Sequence, residues 1–244
     1  ERPGAAEAAA GAGPASGAWW CWDPTTAPIF ARGRRYPGRM PITTPPSPSA
    51  LPPVLPASFY GRPADEVAPA LLGQLLVVRH DGELRAGRIV ETEAYLGEAD
   101  LACHAARGRT RRTSTLYGPP GTAYVYLVYG MHELFNAVCQ PEGEPHAVLV
   151  RAVELLAAPE GARGDGPGRL TRALGISRAD DARSLTRPPL SIHAGAPVAD
   201  VRVTRRVGVG YAGVWADAPL RFLDSASGAV SRPPAHAIGS GRRA

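Results

Sequence analysis

The sequence of 244 residues contains no lysine, because all 27 basic residues are arginines. This excludes mechanisms that need a lysine Schiff base and phosphate loops that end in Gly-Lys-Ser/Thr. The cysteines, Cys21, Cys103 and Cys139, include no Cys-x-x-Cys pair. A disulfide scaffold and a thiolate zinc site are therefore not expected, and a reducing compartment fits.

Two further signals are absent. No apolar run approaches the length of about 18 residues that a membrane helix needs, so no membrane association is predicted. The six histidines show no His-x-x-x-His pair or other metal-ligand spacing. We therefore predict no metal site and no cofactor.

The net charge of +5 and the pI of about 9.4 suggest a polyanionic partner. Residues 1–57 hold five arginines and three acids, and residues 232–244 hold three arginines and no acid. Residues 58–231 hold nineteen of each, so the excess charge lies in the two ends. A nucleic-acid partner must therefore be argued from local clustering.

The composition predicts three regions. Residues 1–57 are rich in Ala, Gly and Pro and are expected to be a disordered extension, with an organelle transit peptide as the alternative. Residues 58–231 are expected to fold, and residues 232–244 to form a basic flexible tail. The compartment then depends on the source: cytoplasm or nucleoid in a bacterium, organelle or nucleus if the extension is a targeting signal.

The folded region is predicted to be one α+β domain with a mostly antiparallel sheet, short helices and long loops. Helices are expected at 64–72 and 167–174, each followed by a glycine. Asp81-Gly82 is typical of a hairpin turn. Residues 97–121 are expected to be loops or short helices. The predicted strands are 74–80, 84–95, 122–129, 135–139, 147–153, 201–207 and 220–223.

Acidic side chains alternate along one predicted strand. Glu91, Glu93 and Tyr95 should share one face, because side chains alternate along a strand. Two carboxylates and a phenol at a strand end suit an acid/base site. The alternative is the solvated outer face of an antiparallel strand.

An arginine interrupts another predicted strand. Arg151 lies among Ala, Val and Leu, and a buried guanidinium needs a carboxylate or an anionic ligand. Glu93 is a candidate partner, and Glu154 is nearer in sequence. A plain structural ion pair remains open.

A basic and aromatic segment supplies the local cluster. No acid occurs between Asp100 and Glu133, a stretch that holds four arginines and four tyrosines: Arg107, Arg109, Arg111, Arg112, Tyr117, Tyr124, Tyr126 and Tyr129. Arginine binds phosphate bidentately and aromatic rings stack on bases, which favours nucleic acid. The alternative is a tyrosine-rich core strand. Tyr129 precedes Gly130 and could act as a wedge in the nucleic acid. Its position along the strand, however, places it on the face opposite to that of Tyr126.

Several motifs together resemble the alkyladenine (3-methyladenine) DNA glycosylase family. In order, they are Val90-Glu-Thr-Glu-Ala-Tyr-Leu-Gly97, His104, Pro120-Gly-Thr-Ala-Tyr-Val-Tyr-Leu-Val-Tyr-Gly-Met131, Asn136, Arg151, Gly166-Pro-Gly-Arg-Leu-Thr-Arg-Ala-Leu-Gly175, Arg206-Val-Gly-Val-Gly210 and Pro219-Leu-Arg-Phe222. The resemblance covers about residues 60–231. It implies a single domain around a curved antiparallel sheet and an enzyme that flips damaged purines out of duplex DNA and excises them.

The resemblance also implies roles for individual residues. Glu93 would activate the attacking water, and Arg151 and the carbonyl of Val207 would help to hold it. Tyr95 would stack on one face of the flipped base, and His104 and Tyr126 on the other. Three further implied roles are exclusion of normal guanine by Asn136, filling of the gap in the duplex by Tyr129, and contact with the DNA backbone by Arg107, Arg109, Arg111, Arg112 and Arg169.

The sequence departs from the family pattern at residues 110–113, where Thr-Arg-Arg-Thr stands for Thr-Pro-Arg-Asn. It also departs at Leu116-Tyr117, where Met-Phe is common, and at Arg169, where Lys is usual. Contacts with the DNA backbone are therefore expected to differ in detail. The pocket residues show no such departure.

The expected enzyme is a monomer. The absence of lysine also predicts that it is monofunctional and leaves an intact abasic site. Two alternatives remain: a metal-dependent nuclease that uses Glu91, Glu93 and Asp100, and a non-catalytic binder of distorted DNA.

Overall fold

A computed structural model describes residues 51–80 and 82–231. Within them the predicted α+β domain is confirmed: eight strands form one curved antiparallel sheet, accompanied by short helices and long loops. The strands are β1 (Leu75–His80), β2 (Glu83–Leu96), β3 (Ala123–Val128), β4 (His132–Cys139), β5 (His146–Ala157), β6 (Leu190–His193), β7 (Val201–Thr204) and β8 (Arg221–Asp224). The α-helices are α1 (Ala57–Tyr60), α2 (Ala64–Ala70) and α3 (Pro167–Leu174).

The long strand β2 organises the sheet. The strand order is β3-β4-β5-β2-β1-β6, and β8 pairs with both β2 and β7. On one edge β2 pairs with β5 along most of its length. On the other edge it pairs first with β1 and then, from Glu91 to Glu93, with β8. The register against β5 shifts around Glu91, and such irregularities bend a strand and re-aim its side chains.

The two predicted helices form, for the expected local reasons. Helix α3 spans the predicted residues: Pro167 supplies a helical φ without needing an N–H partner, and Gly175 ends the helix in the left-handed region with φ 75°. Helix α2 ends at Ala70, two residues earlier than predicted, and contains Pro69 in its last turn. Gly73 follows with φ 85°.

Other boundaries differ from the sequence analysis. Helix α1 and strand β6 were not predicted, and β7 ends at Thr204 rather than at 207. Residues 51–57, which were assigned to the extension, pack on the domain: Leu55 is buried, and its N–H donates to the carbonyl of Ile192 at 2.8 Å. The expected Asp81-Gly82 turn includes Asp81, which lies outside the described residues, as do 1–50 and 232–244.

The two faces of the sheet carry different clusters. The main hydrophobic core includes Val67 and Leu71 from α2 and Leu170 from α3, packed on Ala94 and Val148 of the sheet. A smaller cluster lies on the opposite face and includes Cys103, Leu116, Tyr124, Val138 and Ala147. In the described part of the chain no helix combines the length and apolar character of a membrane span.

Candidate active site

A cavity of about 420 Å³ opens above the smaller cluster. Its walls come from the end of β2, the β3–β4 hairpin, residues 102–104 and residues 207–211. The walls are rich in aromatic rings: Tyr95, His104, Tyr124, Tyr126, Tyr129 and Tyr211. A slot of this size and composition fits a planar heterocycle.

The strand register brings the floor of the cavity together. Across the sheet, Tyr124 pairs with Asn136, Asn136 with Leu149, and Leu149 with Glu93. Glu93 in turn pairs with Arg221 of β8. Residues from five strands therefore form one transverse row, although they are up to 128 positions apart in the sequence.

Glu93 lies beneath the cavity and is fully buried. Its Oε1 accepts a hydrogen bond from the N–H of Val207 at 2.8 Å and lies 3.3 Å from Nη1 of Arg151. Its Oε2 accepts a hydrogen bond from the hydroxyl of Tyr95 at 2.9 Å. Burial, and then the charge of Glu93, raise the pKa of Tyr95 far above its usual value, so this hydroxyl stays a donor.

Glu91 and Glu93 do share a face, but that face is buried rather than solvated. The alternative of an outer solvated face is therefore wrong. Arg151 donates from Nε to Oε1 of Glu91 at 2.8 Å, and the Nε of Arg221 donates to the same oxygen at 2.7 Å. The hydroxyl of Ser231 also donates to it at 2.8 Å.

Arg151 thus has the two carboxylates Glu91 and Glu93 as partners. Burial lowers the pKa of Arg151, but these two glutamates outweigh burial and raise it above its usual value. Glu154, the nearer candidate in sequence, instead pairs with Arg88 at 2.8 Å. The guanidinium lines the cavity, so it lies between the carboxylates and the space where a ligand would bind.

The proposed metal ligands do not form a metal site. Asp100 is paired with Arg206, and Glu91 with two arginines. Among residues 51–80 and 82–231, no group of three His, Cys, Asp or Glu side chains could hold a metal ion. The geometry therefore contradicts the nuclease alternative as it was drawn from the sequence.

His104 and Tyr126 form a wall of the cavity. Their ring centroids lie 4.5 Å apart with an interplanar angle of 68°. Nδ1 of His104 lies 3.0 Å from the hydroxyl of Tyr124. Burial, and then the charge of Arg112, lower the pKa of His104 to about 4, so its imidazole is neutral at pH 7.

Asn136 and Val207 occupy other positions around the cavity. The Nδ2 of Asn136 donates to the carbonyl of Tyr124 at 3.1 Å, which fixes the orientation of a side chain that is 3% exposed. Val207 contacts Glu93 through its N–H. Gly208 follows it with φ 77°, a conformation that favours glycine.

The β3–β4 hairpin carries the predicted wedge. Tyr129 is 88% exposed and has φ 52°, and Gly130 follows with φ 71°. Because the chain leaves the strand after Val128, Tyr129 can line the cavity together with Tyr126 despite its opposite parity.

The arginines of the 107–112 segment are exposed, but only one of them lines the cavity. The guanidinium of Arg112 lies 5.7 Å from the ring centroid of Tyr126, and that of Arg109 lies 5.5 Å from that of Tyr117. Arg107 and Arg111 lie on the same segment, outside the lining. Arg169 is on α3, paired with Asp165 at 3.1 Å beside a second cavity.

Sequence reasoning gave no individual role to several residues of the site, among them Tyr124, Tyr211, Arg206 and Arg221. Tyr124 has the parity of Tyr126 on β3, and this signal was available. Arg206 and Arg221 lie within motifs that were recognised, but long-range contacts with Asp100 and Glu91 leave no trace in local spacing.

The fold and the site together are those of an enzyme that binds a planar ring in an aromatic slot next to a buried carboxylate. Comparison with known proteins gives the family. Residues 58–227 match the methylpurine-DNA glycosylase family, and the chain belongs to this family of DNA glycosylases.

Curated relatives are similar over most of the chain. A Myxococcus xanthus protein named "Putative 3-methyladenine DNA glycosylase" is 56% identical over 183 residues, covering 74% of this chain and 94% of the relative. Proteins with the same name from Anaeromyxobacter dehalogenans strain 2CP-1 and Methanocella arvoryzae are 49% and 44% identical. These alignments cover 74% of this chain in both cases, and 86% and 96% of the relatives.

Proposed function

We propose that this DNA glycosylase flips alkylated or deaminated purines out of duplex DNA and hydrolyses the N-glycosidic bond with a water that Glu93 activates. The names of the relatives support 3-methyladenine as one substrate. The single observation that carries the proposal is the position of Glu93, a fully buried carboxylate whose partners Tyr95, Arg151 and Val207 all line the aromatic slot.

The hydrogen bonds of Glu93 leave one acceptor position of its carboxylate unused. A carboxylate offers about four acceptor positions. Oε1 uses one for the N–H of Val207 and faces Arg151, and Oε2 uses one for the hydroxyl of Tyr95. The remaining position on Oε2 can accept a proton from water. The carbonyl of Val207 and the guanidinium of Arg151 are proposed to hold that water.

For positively charged lesion bases, the transition state explains why one carboxylate is sufficient. Cleavage of an N-glycosidic bond builds oxocarbenium-like charge on the sugar, which a carboxylate stabilises. Alkylated purines carry positive charge and leave readily without a general acid. Glu91 is occupied by Arg151, Arg221 and Ser231, which supports a structural role for it.

The aromatic slot supports base flipping. Tyr95 is proposed to stack on one face of the base, with His104 and Tyr126 on the other. Because the His104 and Tyr126 planes are 68° apart, only one of them can stack while the other presents its edge. Flipping costs a few kcal/mol, and stacking contributes about 1–3 kcal/mol per ring. Asn136 is proposed to crowd the exocyclic amine of guanine.

The exposed groups around the mouth support duplex DNA as the partner. Tyr129 is proposed to fill the gap that the flipped base leaves. Arg107, Arg109, Arg111 and Arg112 are proposed to contact phosphates, and Arg169 is proposed to do so from α3. The enzyme is proposed to act as a monomer.

The test is single-turnover release of hypoxanthine and of 7-methylguanine from duplex DNA. We expect Glu93→Gln to slow release at least about a hundredfold, the lower range for removal of a general base, while lesion binding persists. Glu98→Gln is the matched control, because Glu98 also accepts a tyrosine hydroxyl, that of Tyr117 at 2.6 Å. Equal rates for wild type and Glu93→Gln would refute water activation by Glu93 and favour a non-catalytic role for this residue.

A second measurement tests the proposed absence of a lyase step. The sequence has no lysine to form a Schiff base with the abasic sugar. Borohydride added during turnover should therefore trap no covalent adduct, and the product strand should stay intact until it is treated with alkali. A trapped adduct would overturn monofunctionality without affecting the glycosylase step.

A further inference from the structure

Arg206 is a buried arginine that the proposed mechanism does not use. It is 5% exposed and absent from the cavity lining. Its two Nη atoms both bind the carboxylate of Asp100. Nη1 also donates to the carbonyl of Ala94 at 2.9 Å, and Nη2 to that of Trp215 at 3.2 Å.

The guanidinium also lies against the ring of Tyr95. Its Cζ is 4.8 Å from the ring centroid, within cation–π distance. Tyr95 lines the cavity and Arg206 does not, so the cation covers the rear of the ring while the front faces the ligand space. The ring on which the base is proposed to stack therefore already has a cation behind it.

The same ion pair links the two walls of the slot. Asp100 accepts the N–H of Leu96 at 3.1 Å, just beyond Tyr95, and that of Ala102 at 3.0 Å. The carbonyl of Asp100 accepts the N–H of Cys103 at 2.8 Å, one residue before His104. Arg206 also precedes Val207, whose N–H holds Glu93.

We propose that Arg206 is a positioning residue that sets how strongly the slot prefers cationic over neutral bases; this rests on the proposed function. An aromatic face attracts a cation through the ring quadrupole. A second cation on the opposite face repels the first across the ring, and Asp100 offsets only part of this repulsion. The Arg206–Tyr95 stack therefore weakens the advantage of a positively charged alkylated purine and lets neutral lesion bases compete.

The test compares the single-turnover kcat/KM for 7-methylguanine, a cation in DNA, with that for neutral hypoxanthine. Their ratio cancels losses that affect both substrates equally. In the doubly substituted Asp100→Asn/Arg206→Gln enzyme, where amides replace the ion pair, the ratio should rise roughly two- to fivefold. Asp100→Asn alone leaves the guanidinium uncompensated, so there the ratio should fall. Thermal unfolding checks that each variant is folded.

Arg206→Lys is the control, because it keeps a cation behind Tyr95 while changing its shape. Its ratio should remain near that of the wild type even if both rates fall. An unchanged ratio in the folded double variant, or a shift in the same direction in both Asp100 variants, would overturn the proposal. A wild-type protein that releases neither base would instead refute the proposed function.

Discussion

Glu91 neutralises two buried arginines, so its removal should be costly. Arg221 is fully buried and Arg151 is 7% exposed, and both donate to Oε1 of Glu91. Among the described residues, neither Nη atom of Arg221 has a hydrogen-bond partner. Glu91→Gln leaves Arg151 with Glu93 as a carboxylate partner at 3.3 Å, and it removes the carboxylate to which Arg221 donates. The amide group also places a donor where the N–H of Ser231 now donates.

The magnitude follows from the loss of one partner of a buried ion pair. Such a loss costs about 3–5 kcal/mol. For a domain of this size, each kcal/mol lowers Tm by about 2–4 °C. We therefore expect Glu91→Gln to lower Tm by about 6–20 °C, and to lower the urea midpoint without a change in m-value.

The control removes a glutamate from an exposed pair. Glu83 and Arg85 lie 3.2 Å apart with side chains 70% and 22% exposed, and such a pair contributes about 0–1 kcal/mol. Glu83→Gln should thus change Tm by only a few degrees. The reasoning would be refuted if the free energies of unfolding of Glu91→Gln and Glu83→Gln agreed within about 1 kcal/mol.

Two further predictions concern the cavity. The pKa of His104 is about 4 in the folded protein and 6.5 ordinarily. Between these pH values the unfolded state therefore binds more protons than the folded state. The free energy of unfolding should thus fall by an amount on the order of 3 kcal/mol as the pH is lowered from 6.5 to 4. Urea titrations should show that His104→Asn loses less stability over this pH range than the wild type. If stability fell equally with pH in both proteins, the lowered pKa of His104 would be contradicted. Tyr129→Ala should leave Tm unchanged but slow excision from duplex DNA more than excision from single-stranded DNA. The control is Met131→Ala, which should have little effect although Met131 is 68% exposed on the same hairpin. If Tyr129→Ala slowed excision equally on both substrates, Tyr129 would not act as a wedge.

Local signals explain which parts of the fold could be predicted. Helix α3 was predicted to the residue because Pro167 and Gly175 mark its ends. Strand β6 was missed because its four residues depend on pairing with β1 and on a bridge between His193 and Val54. Such distant partners cannot be inferred from a local pattern.

The candidate site shows the same division. Alternation along β2 correctly placed Glu91, Glu93 and Tyr95 on one face. It could not show that this face is buried, because strand β8 and its Arg221 arrive from 130 residues downstream. The resemblance to the family named Tyr95, His104, Tyr126 and Asn136, and all four line the cavity, whereas the ion pair between Asp100 and Arg206 required the structure.

The contact between Ser231 and Glu91 bears on how the protein is made. Ser231, the last residue that the structure describes, donates both its N–H and its hydroxyl to Glu91. During synthesis, β2 leaves the ribosome long before Arg221 and Ser231. The hydrogen bonds around Glu91, next to Glu93, are therefore complete only when nearly the whole domain has emerged, so a nascent or C-terminally shortened chain lacks part of this buried network.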